Sequence, residues 1–328
     1  MQVTRRDLLR TAALGVAAAA VPDLWLPGGA WATTPGLVKG LFEEGTGTYP
    51  PSVVNVSCNA LWKDLQPTKG GPIAANNSID KFLASGRPGR VRLFFGKESP
   101  TWAINLAGGV KVHDPVDNIT AVVPRWWTSS VINAQKDFVS KLAAKYDGRI
   151  SAIFISNGGT VYAEPFIRGI GSSLTRQNLL AAGYTPAADK ASYVAGLQMF
   201  SAFKQTRLAM SFNPWEYINS MTNFGEDVSF TIQMMDRMRT LYGSRAIWCN
   251  CSVKWPLLGG QYTTMYAHMK GQKPLTFQTA QAPRVGNFPN ALTWTVGMGA
   301  HAVELPQYFW NYLSGSQLSS FNTKLRAQ

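Results

Sequence analysis

Short apolar runs rich in β-branched residues recur along the chain, each followed by a stretch whose apolar residues return every three or four positions. The runs are Val53–Val56, Val91–Phe95, Ile150–Ile155, Leu208–Phe212, Ala246–Cys249, Leu275–Phe277 and Ala302–Leu305, and Leu37–Phe42 supplies an eighth. Runs of this length fit strands buried on both faces, as in a parallel sheet. Between them, Phe138, Val139, Leu142, Ala143 and Tyr146 form a helical stripe that Asp147-Gly148 stops. Tyr193, Val194, Leu197 and Phe200 form a second, and Val228, Ile232, Met235 and Met238 a third that ends at Gly243. Ile79, Phe82 and Leu83 mark a shorter helix behind the cap signal Asn77-Ser78. This alternation, without a second compositional regime, predicts an α/β fold over residues 33–328: a single (β/α)₈ TIM barrel with an extended loop, residues 97–130, after strand three.

The first 32 residues read differently. Thr4-Arg5-Arg6-Asp7-Leu8-Leu9-Arg10 precedes the weakly apolar stretch Thr11–Ala20, and Ala30-Trp31-Ala32 offers a small-x-small cleavage site. Residues 1–32 are therefore expected to be a signal peptide, and the Arg5-Arg6 pair resembles the bacterial twin-arginine export signal. The expected product is secreted or periplasmic, with no stable membrane insertion after cleavage. Cys58, Cys249 and Cys251 are read as free thiols, since residues two apart on a strand share a face and make a poor disulfide.

Charge changes the picture less than pattern does. The 328 residues hold 31 Lys and Arg against 18 Asp and Glu, a net +13. No basic run or stacking module accompanies that excess, so nucleic acid is not the expected partner. An anionic or cell-wall polymer would be attracted over a Debye length of about 10 Å. His113, His268 and His301 lack metal-ligand spacing, and no catalytic-serine, zinc-protease or phosphate-loop motif occurs, so neither metal nor cofactor is expected.

In a TIM barrel the chemistry sits where strands end. The second strand exits into Asn59-Ala60-Leu61-Trp62-Lys63-Asp64, and the third into Lys97-Glu98-Ser99-Pro100-Thr101-Trp102, with Arg125-Trp126-Trp127 in its long loop. The fourth exits into Ser156-Asn157, with Tyr162 and Glu164 following, and the fifth into Asn213-Pro214-Trp215-Glu216. The seventh ends at Gln278, and the eighth contains Glu304. Indole and phenol faces stack on sugar rings, while amides and carboxylates bond hydroxyls. Trp62, Asp64, Glu98, Trp102, Trp126, Trp127, Asn157, Tyr162, Trp215 and Gln278 are accordingly candidate substrate-binding residues for a glycan. Glycoside hydrolysis also needs two carboxyl groups flanking the bond.

Leu61-Trp62-Lys63-Asp64-Leu65-Gln66-Pro67, then Gly70 and Asp80, resembles the "W-x-x-L-E-P-x-x-G … D" segment of clan-A glycoside hydrolases of the beta-galactosidase type. Ser99-Pro100-Thr101-Trp102 resembles their "P-x-W" after strand three, and Arg125-Trp126-Trp127 with Phe138–Tyr146 the helix leading to strand four. The resemblance spans residues 52–170 and implies that Glu164 is the general acid/base. Two departures follow. Seven residues separate Asn157 from Glu164, and the strand-seven position of the nucleophile holds Gln278, which cannot form a glycosyl ester. Three resolutions stay open: Glu216 or Glu304 as second carboxylate, an inverting enzyme in which one of these or Asp64 activates water, or a glycan-binding barrel without turnover.

Overall fold

The computed structural model describes residues 34–44, 49–158, 162–165 and 167–328. The signal-peptide reading of residues 1–32 lies outside them. Eight strands follow the apolar runs: β1 (Gly40–Glu44), β2 (Asn55–Leu61), β3 (Gly89–Phe94), β6 (Ala152–Phe154), β7 (Arg207–Ser211), β10 (Ala246–Val253), β11 (Leu275–Thr279) and β12 (Ala302–Leu305). All pair in parallel and close in the order β1-β2-β3-β6-β7-β10-β11-β12, with β12 returning to β1. The remaining strands form two antiparallel hairpins outside the barrel, β4 (Gly109–Asp114) with β5 (Ile119–Pro124), and β8 (Trp215–Ile218) with β9 (Phe224–Asp227).

The long connection after β3 is thus a folded insertion, containing a short helix and the β4–β5 hairpin before helix α4. Up to that point the helices are α1 (Trp62–Leu65), α2 (Ser78–Ala84), α3 (Thr101–Ile104) and α4 (Ser129–Tyr146). Then come α5 (Ser173–Ala181), α6 (Pro186–Met199), α7 (Val228–Tyr242), α8 (Gln261–Met269), α9 (Ala282–Val285), α10 (Phe288–Gly297) and α11 (Gly315–Arg326). Their ends obey local chemistry. The Asn77 side chain accepts from the amides of Ile79 and Asp80. Gly148, at φ +76°, turns the chain out of α4 in the left-handed region, and the Asp147 carboxylate accepts the amides of Lys204, Gln205 and Thr206, tying that turn to the start of β7.

Alternation along the strands sorts the core into two layers. Leu41, Val91, Leu93, Ile153, Leu208, Met210, Leu275 and Val303 pack outward among helix residues such as Phe138, Leu197 and Met235. Inside the barrel, Phe154 packs with Ala152, Ala209, Ile247 and Cys249. The unusual feature is β3, where Arg90 and Arg92 also point inward and are 4% and 5% exposed. Both guanidinium groups converge on Glu304 of β12: Arg90 Nη2 lies 2.7 Å from Oε2 and Arg92 Nη1 2.7 Å from Oε1. Ser57 donates to the same carboxylate, and Arg90 also donates to Thr276 and stacks on Phe42 and Phe154. Burial alone would raise the Glu304 carboxyl, but the two arginines and Ser57 outweigh it and hold it below its ordinary range.

Glu304 is a catalytic candidate in the sequence. The structure gives it a different position, fully buried beneath the barrel mouth as the shared counter-ion of two arginines. An acid so engaged has no proton to give. Glu304→Gln leaves two buried guanidinium groups without neutralisation and is expected to cost about 3–5 kcal/mol in urea unfolding. Asp137→Asn, in the exposed Lys141–Asp137 pair, should cost no more than about 0.5 kcal/mol. Because the folded-state pKa of Glu304 is depressed, its contribution is full above the ordinary carboxylate range and is lost as the pH falls through that depressed value. Equal costs for the two substitutions would contradict this assignment.

Candidate active site

The barrel strands end around a cavity of about 450 Å³. Glu44 from β1, Arg92 and Phe94 from β3, Cys251 and Ser252 from β10, and Gln278 and Thr279 from β11 line its floor and walls. Tyr162, Glu164 and Arg168, from the connection after β6, and Tyr262 of α8 complete it, with Lys254, Gln281 and Arg284 at loops nearby. A second cavity, about 350 Å³, lies on the other side of Glu44 and Gln281 and is bounded by Asn59, Pro283, Gln307 and Tyr308. Tyr308 is 59% exposed and has φ +65°, a left-handed conformation uncommon for a non-glycine residue. Glu44 therefore stands on the wall that two cavities share.

Glu44 is not among the residues singled out in the sequence. Its Oε1 accepts from Gln278 Nε2 at 3.1 Å and lies 3.7 Å from Arg92 Nη1. Burial raises its carboxyl and the Glu304 charge raises it further; Arg92, Gln281 and Gln278 pull the other way, and the balance is about 6. Glu164, 3% exposed, accepts from Ser211 Oγ at 3.2 Å and pairs with Arg168 Nη1 at 3.3 Å. Two carboxyl groups at one mouth thus have different surroundings: Glu44, partly exposed, shares Arg92 with Glu304, and Glu164, almost fully buried, has its own arginine.

Glu216 takes a third position. It lies on the β8–β9 hairpin, within the field of Arg168 but outside the cavity lining, and burial carries its carboxyl to about 7 against that arginine and the Ile170 amide. Its Oε2 is buried with no hydrogen-bond partner among the described residues. Gln278 and Tyr162 do line the mouth, Tyr162 donating to Asp117.

Most of the other expected sugar-binding residues turn away from the mouth. Trp62 is fully buried among Phe95, Trp102 and Phe138, with its indole N–H on Gln66, and Trp102 meets it edge-on. Trp126 and Trp215, 1% and 2% exposed, donate their indole N–H groups to the two oxygens of Asp189, each at 2.7 Å. Trp127 packs edge-on against Trp126 and Tyr184. Asn157 donates to the Ser192 carbonyl at 2.6 Å and lies so close to α6 that a Cβ at Gly196 would fall 2.1 Å from its Nδ2. Glu98 is held below its ordinary range, burial being outweighed by Lys63 and Lys97, and Asp64 is exposed outside both mouth cavities. Trp62 and Trp102 fill the layer between β3 and α4, whereas Trp126, Trp215 and Asn157 are tied to α6 through Asp189 and Ser192.

A further cavity, about 680 Å³, lies elsewhere, between the β8–β9 hairpin and the first residues of α6, α7 and α8. Asp227 there is already engaged, capping α7 and pairing with Lys190 at 3.1 Å. Glu44 and Glu164 both line the smaller mouth cavity.

The catalytic domain of a beta-amylase from Paenibacillus polymyxa matches the chain with a TM-score of 0.52 and 9% sequence identity, covering 85% of this chain and 94% of that one. A GH10 structure from Paenibacillus barcinonensis gives 0.45 and 11%, covering 82% and 83%. No family model matches the chain, and no curated protein matches its sequence. The first of these likenesses is one of fold, a TIM barrel.

The electrostatics are directly measurable. In carboxyl ¹³C NMR titrations, with Glu44→Gln identifying the resonance, Glu44 should titrate near pH 6. A midpoint in the ordinary glutamate range would contradict the burial and the Glu304 field described for it.

Proposed function

We propose that the chain is a glycoside hydrolase whose mouth cavity takes a glycan and whose working carboxyl groups are Glu44 and Glu164. The observation that carries this reading is the presence, at the C-terminal mouth of a TIM barrel, of a carboxyl raised to about 6, Glu44, in one cavity with a second, buried carboxyl group, Glu164. Glu44, protonated below about pH 6, passes its proton to the glycosidic oxygen as the bond to the anomeric carbon breaks. Glu164 faces the positive charge that develops on the ring. It then bonds to the anomeric carbon or takes a proton from the attacking water; carboxylate separation distinguishes the two routes. Glu44 takes the acid role because burial and the Glu304 charge raise its carboxyl to about 6, and Glu164, held by Ser211 and Arg168, is the second carboxyl group at the mouth.

The cavities on both sides of Glu44 support a chain that continues past the cleaved bond. Tyr308 offers its ring to sugar units on the far side, and Gln278, Gln281 and Tyr262 offer hydrogen bonds on the near side. Residues 1–32 support export by the twin-arginine route in a bacterium, so the glycan would be met outside the cytoplasm, as an external or cell-wall polymer. Gln278, the amide at the end of the seventh strand, favours a second reading in which the barrel binds a glycan without cleaving it.

Reducing-end release from a panel of plant, fungal and bacterial polysaccharides separates these readings. Turnover by the natural sequence, a fall of about 10²- to 10⁴-fold in kcat for Glu44→Gln, and retained binding are expected. Because the acid must be protonated, kcat/KM should decline as the pH rises through about 6, and that limb should vanish in Glu44→Gln. Binding without any release of reducing ends would leave the non-catalytic reading. Tyr308→Ala should raise KM for long oligosaccharides by about 3- to 10-fold while sparing short ones, consistent with loss of one aromatic contact; equal effects at all lengths would remove Tyr308 from the cleft.

A further inference from the structure

The charges around the mouth do not cancel. Arg168 is paired with Glu164, and Arg284 with Asp117. Arg90 and Arg92 share the single carboxylate of Glu304, so that buried trio keeps one positive charge. Arg92 is the member that reaches the cavity. Its Nη1 is engaged by Glu304, while its Nε is buried without a hydrogen-bond partner among the described residues. Lys254, half-buried on the cavity wall, has neither ion pair nor hydrogen bond among the described residues. Glu44 does not cancel these cations while it holds its proton. The cavity thus has two positive charges in excess while Glu44 is protonated and one when it is ionised, and in both states Lys254 is without a partner among the described residues.

We propose that the mouth selects glycans whose sugar units carry carboxylate groups, and that Lys254 and Arg92 receive that carboxylate. This rests on the glycosidase reading and extends it to substrate class. A planar carboxylate can accept from a guanidinium and an ammonium together, forming charge-assisted bonds that a neutral hydroxyl cannot match. Tyr262, Gln278 and Gln281 remain to bond the ring hydroxyls. The excess charge also serves approach, since an anionic chain is drawn to the side of the molecule where the carboxyl pair works.

The test uses the full chain carrying Glu44→Gln, so that binding is read without turnover. Titration calorimetry compares oligosaccharides of galacturonate, glucuronate and mannuronate with their carboxyl-reduced counterparts, at low and high salt. At least one acidic member should bind about tenfold or more tightly than its reduced counterpart, and the difference should shrink as salt rises. Adding Lys254→Met, at a half-buried position without an ion pair among the described residues, should narrow that ratio several-fold, with circular dichroism confirming that the variant is folded. If the reduced forms bind as well as the acidic ones, or only neutral glycans bind, the carboxylate proposal falls and the glycosidase reading survives. If sulfated glycans bind and uronates do not, the mouth is anion-selective but the carboxylate assignment is wrong. If no glycan binds, both fall.

Discussion

Two guanidinium groups share one carboxylate inside the barrel, and the mouth above takes its character from that imbalance. Removing three charges from water is costly unless each is met by an opposite charge and hydrogen bonds. Here Ser57, Thr276 and the rings of Phe42 and Phe154 complete the shell around Arg90 and Glu304. Arg92 forms the upper edge of the cluster and connects it to the solvent-facing cavity. The same Glu304 charge that holds the arginines raises Glu44, which stands on the next strand round the barrel. Packing, electrostatics and candidate chemistry therefore share one set of residues.

That arrangement accounts for the different fates of the acidic side chains at the strand ends. A carboxylate with two arginines becomes structural, as Glu304 does. One with a single arginine and a serine, Glu164, stands at the mouth. Glu44, which shares Arg92 with Glu304 and feels the Glu304 charge, is the group at the cavity able to hold a proton up to about pH 6. Glu216, raised further, stands outside the cavity lining and does not meet Glu44 there. Role follows environment in each case, not position along a motif.

The fold was legible because its signals are periodic. Eight apolar runs became eight barrel strands, and Asn77, Asp147-Gly148 and Gly243 marked helix ends by chemistry that acts within a few residues. The site was less legible because the face of an indole beside a strand end depends on the tertiary layer covering it. Trp62, Trp126 and Trp215 sit at or near exits yet face helices or Asp189. Arg92 is an arginine inside the apolar run Val91–Phe95, where a charge needs a partner, and Glu304 supplies it. Glu44 had a weaker signal. Counting by two from the inward Phe42 places it inward and turns Glu43 outward, where it meets Arg87 at 2.9 Å. The Glu43-Glu44 pair ends a short run with poor periodicity, and no motif drew attention to it.

The most direct measurement is a crystal structure of the Glu44→Gln variant with an oligosaccharide long enough to occupy both cavities beside residue 44. The account predicts a glycosidic oxygen within hydrogen-bond distance of the residue-44 side chain and an anomeric carbon presented to Glu164. A sugar chain seated instead in the 680 Å³ cavity by the β8–β9 hairpin, with the barrel mouth filled only by water, would contradict it.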